Sequence, residues 1–452
     1  MTVSAEWAPK GGFQVQAFES SISPYSSNRT TTSLEMLELD GSTLEGGGQL
    51  VRVALCLSAI CGVAVRVVNV RAKRPGRKVG LKESHVKAVE WLADRCEAVV
   101  EGGKEGSQTI EFVPRKMNTR RRAWSAGSEP WEGESVLEME RPGSVWLVWQ
   151  AIWPYIVFAI AGPGDDDGQI KRNSDGEKEK QHRGSETTTH TLMLTLTGGT
   201  NVSKSMSGEY VQQVLLPVCQ KIGLPTFQVE VVKRGWAGSA QEVGQVRIRV
   251  DRDAVSRKFR LSAFTVSDRG VVTQIDVTIV AGSQKTRTGL RGAITALLWK
   301  AIGQDIPVNV IIDEDSGDEQ RLYVLLAAHT SNGWRLGRDF LGGQKVKSEK
   351  EGAKMVQRAA EAVVRDLLNE LRRGGCVDEF MQDQLVVFQA LAMGRSVVDA
   401  GKGRGRGTLH TQTVRWVCDR MLSGGGFMFD EGGGCDGVGW NAEKDETERA
   451  RD

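Results

Sequence analysis

Apolar and polar positions along the chain fall into blocks that predict strands and helices in alternation. Leu34–Leu39 is predicted to be a strand, a glycine-rich turn follows it, and residues 49–60 carry apolar side chains at helical spacing. A strand over Val65–Val70 and a helix over Ser84–Cys96 continue this order. Because strands that alternate with helices build layered domains, the order predicts an α/β architecture.

The same order returns further along the chain. Thr191–Leu196 is predicted to be a strand, a Gly-Gly-Thr-Asn turn over residues 198–201 follows it, and a helix is predicted near Tyr210–Ile222. Strand, glycine pair and helix is also the order of residues 34–60, which indicates an internal repeat. Between the two runs, residues 163–189 are nearly free of apolar side chains and are predicted to be a solvated insertion.

The pattern changes after about residue 255. Two β-rich stretches, Val271–Ala281 and Leu322–Ala328, precede a predicted long helix over Glu349–Leu371. One face of that helix carries an apolar stripe made of Met355, Ala359, Val363, Val364, Leu367 and Leu371. This change predicts a second, inserted domain, after which a helix over Val377–Met393 resumes the first pattern.

Together these patterns predict an α/β (α+β) fold, in which a large domain of repeated strand–helix units holds a smaller inserted α/β domain. The large domain is predicted to cover residues 34–255 and 373–425, and the inserted domain residues 256–372. Residues 1–33, which are rich in Ser, Thr and Gly, are predicted to be a disordered arm. Residues 426–452, rich in Gly and charge, are predicted to form a loose C-terminal tail.

Composition narrows the possible classes of protein. The 452 residues, 40% of them hydrophobic, suffice for two to three domains at roughly 100–200 residues each. The formal net charge of +2 excludes a strongly basic coating protein for nucleic acid, although a local basic cleft is compatible with it. The longest apolar stretch, Val145–Ala161, is interrupted by Gln150 and Pro154 and falls short of the ~20 apolar residues of a membrane helix. We therefore expect a soluble protein.

The cysteines indicate the redox compartment. There are seven, an odd number, and no two form a CxxC pair, which favours a reduced, intracellular protein. The N-terminal residues lack a basic segment followed by a long apolar run, so no secretory signal is predicted.

The first candidate for chemistry is the polar stretch from Asp40 to Arg52. Three glycines stand directly before a predicted helix, where backbone N–H groups and the helix N-terminus can approach an anion. Glu45, just before the glycines, could hold a hard divalent cation. Arg52 follows Gln49 by three residues, so it shares a helix face with it and could bind a phosphate. The alternative is a plain tight turn.

Two further stretches carry candidate chemistry. Val70-Arg71-Ala72-Lys73-Arg74 places a basic cluster at a predicted strand end, which suits RNA phosphates, although a solvated loop is the alternative. His410 lies between small polar residues just before the amphipathic segment Val414–Leu422. Imidazole can form covalent intermediates and is largely neutral at pH 7, but a lone histidine is more often a packing residue.

The other four histidines are weaker candidates. His182 and His190 lie in or beside the polar insertion, where we expect exposure to solvent. His329 ends an apolar strand and is expected to be structural. His85 stands at a helix start, where both a structural and a functional role remain open.

Several stretches resemble the signatures of one family. LDGSTLEGGGQLVRVALCLSAICG is similar to the opening signature of the RNA 3'-terminal phosphate cyclases, and RRGGCVDEFMQDQLVVFQALA and TLHTQT resemble their closing signatures. Between them, VRAKR, GLKESH, GSVWLVWQAIWPYIVFA and LTGGTN occur in the family's order. The resemblance covers about residues 34–425, with gaps at the polar insertion.

The resemblance implies an enzyme that converts an RNA 3'-phosphate end to a 2',3'-cyclic phosphate with ATP. In the family, AMP is placed on a histidine nitrogen and passes to the RNA 3'-phosphate, and the neighbouring 2'-hydroxyl then attacks and releases AMP. By resemblance, His410 is the adenylated histidine and Glu45 is associated with Mg²⁺ (or Mn²⁺). The matching ATP-site positions are Gln150, Phe380, Asp383 and Gln384, and the matching RNA or phosphate positions are Arg52, Arg71 and Arg74.

The chain departs from the family's usual pattern at several positions. Phe380 stands where tyrosine is usual, so a ring can still stack on adenine but the hydroxyl is lost. Ser84 stands where glutamine is usual, and Ser205-Met206 where Ala-Pro is usual. After Arg234-Gly235-Trp236, the usual glycine run is replaced by AGSAQEVGQV. These changes bear on nucleotide affinity and RNA docking, and they leave His410 and Glu45 in place.

Two other classes of function compete with the enzyme. A cyclase-like branch of the family acts in ribosome biogenesis and lacks the catalytic histidine, so His410 within LHTQT favours the enzyme. A passive RNA-binding module would explain the basic cluster but neither EGGGQ nor His410. For the enzyme we expect an RNA partner with a 3'-phosphate end, no membrane, and an intracellular location in the nucleoplasm or nucleolus. The oligomeric state stays open.

Overall fold

Units of alternating strands and helices recur in the computed structural model, which describes residues 36–73, 79–115, 133–159, 191–238, 241–251 and 259–440. The first unit consists of β1 (Leu37–Asp40), α1 (Gly48–Cys61), β2 (Val65–Val68), α2 (Glu83–Cys96), β3 (Val99–Glu101) and β4 (Ile110–Val113). Its sheet has the order β1-β2-β4-β3, with β1 parallel to β2 and the other pairs antiparallel.

The second unit repeats this topology. It consists of β5 (Gly133–Glu138), α3 (Val145–Ala159), β6 (Thr191–Gly198), α4 (Gly208–Tyr210), a π-helical turn (Val211–Leu215), α5 (Leu216–Lys221), β7 (Gln228–Lys233) and β8 (Gly244–Asp251). The sheet order β5-β6-β8-β7 again has one parallel pair, β5 with β6, followed by antiparallel pairs. The topology agrees with the internal repeat that the sequence indicates, and the α+β class is confirmed.

A further strand–helix unit follows β9 (Thr265–Val266). It consists of β10 (Val272–Ala281), α6 (Gln284–Ile302), β11 (Val308–Asp315), β12 (Leu322–Thr330), β13 (Arg335–Gly342) and α7 (Glu349–Arg373). Its sheet, in the order β11-β10-β12-β13, shares a separate hydrophobic core with α6 and α7, which includes the buried part of the apolar stripe predicted on α7. The inserted domain predicted over residues 256–372 overlaps this unit, and its independence as a domain stays a prediction.

The ends of α7 show why the sequence folds locally in this way. The Ser348 side chain caps the helix by accepting from the Glu351 N–H, and two glutamates lie in the first turn. Arg372 and Arg373 occupy the last turn, and Gly374 ends the helix at φ 79°, a left-handed conformation that favours glycine.

A third repeat is completed after the inserted unit. It consists of β9 together with α8 (Glu379–Leu391), β14 (Met393–Val398), α9 (Leu409–Leu422) and β15 (Gly434–Val438). In its sheet, β14 pairs in parallel with β9 and antiparallel with β15. The inserted unit therefore interrupts the third repeat between its first strand and its first helix.

The structure corrects three sequence predictions in this region. The helix predicted over Val377–Met393 is shorter, because Met393 already belongs to β14. His410 does not precede a helix but lies in the first turn of α9. The loose tail predicted over residues 426–452 is wrong for its first part, since β15 pairs with β14 and buries Cys435.

Three helices, α1, α3 and α8, contribute most of their residues to the main hydrophobic core. Every residue of α1 is buried, and α1 packs against α2, α3 and α9, while α8 packs against α9 and α3. In α3, Trp149 and Trp153 stack with their ring centroids 5.0 Å apart, and Phe227 contacts both rings. The seven cysteines are free thiols in buried positions. The glycine-rich turn precedes α1, and a polar turn precedes α9. Because α1 packs against α9, these two turns lie close together.

Two predictions concern segments that lie outside the described residues. They are the disordered arm of residues 1–33 and the polar insertion of residues 163–189. Within the described ranges, the helices are too short or too polar to cross a membrane.

Candidate active site

The N-terminus of α1 presents backbone N–H groups that suit an anion. Gly47 precedes the helix without any side-chain cap, and the first turn carries no acidic residue. A Cβ atom on Gly48 would lie 2.3 Å from Nε2 of His85, and one on Gly46, which has φ 60°, would lie 2.5 Å from Cβ of Lys73. Glycine is therefore required here because two side chains approach the backbone closely.

Arg52 lies one turn into α1 and joins two helices. Its Nη2 donates to Oε1 of Gln49, and its Nε donates to Oε1 of Gln150 on α3 over 3.1 Å. Arg52 is 7% exposed. The structure thus brings together Arg52 and Gln150, which the sequence analysis assigned to different parts of the site.

His85 is a site residue whose role the sequence left open. Its Nδ1 accepts from the Lys82 N–H over 2.9 Å, so the ring proton of the neutral form is on Nε2. Burial lowers the pKa of His85 well below its usual range, and the charges of Arg52, Arg71 and Lys82 lower it further. Nε2 lies 3.5 Å from Nη1 of Arg52, so two N–H donors meet at the start of α1. Two donors so placed suit an anionic oxygen.

The basic cluster after β2 borders the same region. Arg71 is 7% exposed, has φ 58°, and donates from Nη1 to the Gly80 carbonyl over 3.0 Å. Its backbone is in the left-handed region that non-glycine residues adopt rarely, a strain often found at functional sites. Arg74, predicted to act with it, lies outside the described residues.

Glu45 and His410 meet beside the α1 turn. Oε2 of Glu45 lies 3.4 Å from Nδ1 of His410, and the two side chains are 9% and 41% exposed. A carboxylate at this position favours the tautomer with its proton on Nδ1, which puts the lone pair on Nε2. The arrangement is that of an oriented imidazole at a solvent-accessible surface, as a nucleophile requires.

Three predicted nucleotide-site residues share one face of α8. Phe380, Asp383 and Gln384 are spaced by three and four residues, which places them on neighbouring turns of the helix. The Phe380 ring is 37% exposed and packs edge-on against Tyr210, with ring centroids 6.0 Å apart. The guanidinium of Arg338 lies 4.9 Å from the Phe380 centroid. An exposed ring of this kind can stack on a base.

Asp383 is electrostatically linked to the rest of the site. Its pKa is raised to about 7, mainly by burial, and the charges of Asp378 and Glu45 contribute to this rise. A hydrogen bond from Gln384 and the charge of Arg52 oppose this rise. A carboxyl group with this pKa exists near neutral pH in both its donor and acceptor forms.

The metal prediction rests on Glu45. Within the described ranges, no set of three or more His, Cys, Asp and Glu side chains is arranged to hold a metal ion. Mg²⁺ is commonly bound through one or two carboxylates, with waters and substrate phosphates completing its shell. A lone carboxylate beside a helix N-terminus suited to an anion fits that mode of binding.

Comparison with known proteins decides the family. A family profile described as RNA 3'-terminal phosphate cyclase matches residues 43–165 and 184–425 of the chain. The chain belongs to this family. A cyclase of that name from Drosophila melanogaster is 30% identical over 428 residues, which cover 90% of this chain and 97% of the relative.

Two microbial relatives extend the similarity. The RNA 3'-terminal phosphate cyclase of Pyrococcus furiosus is 27% identical over 402 residues, with 88% of this chain and 96% of the relative covered. That of Methylococcus capsulatus is 30% identical over 391 residues, with 86% and 91% covered. Because these relatives carry the enzyme's name, they favour the cyclase over a non-enzymatic relative or a passive RNA-binding module.

Proposed function

We propose that this cyclase family member converts RNA 3'-phosphate ends to 2',3'-cyclic phosphates with ATP, through a covalent AMP on Nε2 of His410. The observation that supports the proposal most directly is the pairing of a 41% exposed His410 with a 9% exposed Glu45. A histidine with a structural role only would not need a buried carboxylate at its Nδ1 and solvent at the rest of its ring.

The first step would join His410 to AMP. Nε2 attacks the α-phosphorus of ATP, a P–N bond forms, and the bond to the leaving pyrophosphate breaks. Because Nδ1 keeps its proton, the ring becomes positively charged as it attacks, and the carboxylate of Glu45 stabilises that charge. Mg²⁺, held by Glu45 together with the phosphates, would neutralise the charge that develops on the departing pyrophosphate.

The face of α8 would bind the adenosine. The exposed ring of Phe380 offers a stacking surface for adenine. Asp383, with its pKa raised to about 7, can donate or accept a hydrogen bond at the base, and Gln384 lies beside it. Gln150, already bonded to Arg52, links this pocket to the phosphates.

The N-terminus of α1 would bind the RNA 3'-phosphate. The N–H groups of the helix start, the guanidinium of Arg52 and the Nε2–H of His85 converge there. An oxygen of the bound 3'-phosphate attacks the AMP phosphorus, the P–N bond breaks, and His410 is released. The 2'-hydroxyl then attacks the activated 3'-phosphorus, loses its proton and displaces AMP, which closes the cyclic phosphate.

Self-labelling with ATP tests the proposal. The full chain is incubated with Mg²⁺ and ATP labelled at the α-phosphate, denatured, and resolved on a gel. We expect label on the wild-type chain and none on His410→Ala. The adduct should be lost in acid and kept in base, because a phosphoramidate hydrolyses when its nitrogen is protonated. Label on a folded His410→Ala variant, or none on the wild type, would overturn the mechanism.

A further inference from the structure

Glu45 lies in a turn whose backbone needs outside support. The residue before it, Leu44, has φ 51°, and the residue after it, Gly46, has φ 60°. A left-handed conformation is unfavourable for leucine and persists only where neighbouring structure fixes it. Within the turn, the Gly46 N–H bonds to the Thr43 carbonyl, but that bond does not reach α9, where His410 lies.

Thr413 connects this turn to α9. It is fully buried, three residues beyond His410 on the same helix, and its Oγ1 donates to the Leu409 carbonyl over 2.7 Å. The same oxygen accepts from the backbone N–H of Glu45 over 3.3 Å. Both roles are fixed, since a hydroxyl has a single proton and a backbone N–H can only donate.

We infer that Thr413 is a positioning residue, which holds the backbone of Glu45 at the distance where its carboxylate orients His410. The inference rests on the proposed role of His410 as nucleophile. The helix turn that carries His410 also holds the backbone of Glu45, so the 3.4 Å approach of their side chains does not depend on the side chains alone.

The hydroxyl of Thr413 has a role here beyond packing. Its bond to the Leu409 carbonyl is the ordinary back-bond of threonine within a helix and is dispensable there. Valine has a similar volume, so Thr413→Val removes the acceptor for the Glu45 N–H together with the back-bond to Leu409. The Glu45 N–H lies in a part-buried contact, where losing its acceptor is costly, and the strained turn would shift to regain one.

The test compares matched substitutions on one helix. Thr413→Val should lower the single-turnover rate of self-labelling at saturating ATP by about 10- to 100-fold, the range expected for a small misplacement of reacting groups. The KM for ATP should change little, because the α8 face is untouched. Thr413→Ser, which keeps the hydroxyl, should restore the rate. Thr411 is an equally buried threonine whose hydroxyl contacts that of Thr408. Thr411→Val should therefore self-label at the wild-type rate.

A double-mutant cycle separates positioning from simple destabilisation. If Thr413 acts through Glu45, Thr413→Val should cost far less in a Glu45→Gln background than in the wild type. Equal fold-losses in both backgrounds, or a wild-type rate for Thr413→Val, would overturn the inference while leaving the labelling of His410 intact. Absence of label on the wild type would overturn the proposed function, and the positioning role with it. Thr413→Ala replaces the valine variant if that one does not fold.

Discussion

Nδ1 of His410 and Oε2 of Glu45 lie 3.4 Å apart, although the two residues belong to the last and the first repeat of the chain. The pair forms where the N-terminal turn of α1 meets the N-terminal turn of α9, and these two helices pack against each other in the core. The geometry of the site therefore depends on how the repeats pack.

Removing the carboxylate of Glu45 should slow adenylation. We expect Glu45→Ala to lower the rate of self-labelling by about 100-fold. The variant would lose both the electrostatic effect of the carboxylate on His410 and a ligand for Mg²⁺. The Mg²⁺ concentration at half-maximal rate should rise. Glu38→Ala, at an exposed position on β1, is the matched control. A lower melting temperature with an unchanged rate would instead show that Glu45 only stabilises the turn.

Crowding the start of α1 should impair phosphate binding. A Cβ atom on Gly48 would lie 2.3 Å from Nε2 of His85 and 3.0 Å from Nη1 of Arg52, so Gly48→Ala should displace both donors. We expect cyclisation of 3'-phosphate RNA to fall more than 10-fold, a common result of misplacing binding groups. Gly292→Ala on α6 is the control, because no atom lies within 4 Å of its Cβ position. If both variants cyclise RNA normally, the α1 turn does not bind the phosphate.

The basic cluster should distinguish RNA binding from nucleotide chemistry. Arginine reads a phosphate with two parallel hydrogen bonds, whereas lysine supplies a point charge. Arg71→Lys combined with Arg74→Ala should weaken cyclisation of 3'-phosphate RNA. Self-labelling of His410 should stay within a few-fold of wild type. The loss of cyclisation should shrink at high salt. Arg66→Ala, an exposed arginine on β2 that pairs with Glu111, is the control. Equal loss in both assays would assign the arginines to the nucleotide instead.

Asp383 should make stability depend on pH. Because its pKa is raised from 3.8 to about 7, the folded state binds the proton more tightly than the unfolded state, and stability falls as pH rises through this window. Asp383→Asn should therefore have a higher melting temperature than the wild type at pH 8, and nearly the same melting temperature at pH 4. For a chain of 452 residues, about 1 kcal/mol would shift the melting temperature by roughly 1 °C. Asp94→Asn, at an exposed carboxylate, is the matched control. A constant difference at all pH values would contradict the raised pKa.

Local structure was largely determined by the sequence. The predicted helix over residues 49–60 is α1 with one more residue at each end, and the apolar stripe on α7 faces the core as predicted. These elements follow from periodic apolar positions and from caps such as Ser348 and Gly374, which act within a few residues. The motifs of the family also predicted Glu45, Arg52 and His410 as site residues without a structure.

Tertiary structure decided the parts that depend on distant contacts. Residues 434–438 have a glycine-rich, polar sequence that gives little sign of a strand, yet they form β15 because β14 supplies hydrogen-bond partners. The bond from Arg52 to Gln150, and the bond from the Glu45 N–H to Thr413, join residues from different repeats. A sequence pattern records the preference of each segment for a helix or strand. It does not record which side chains meet, because those contacts form only when the helices of the three repeats pack into one core.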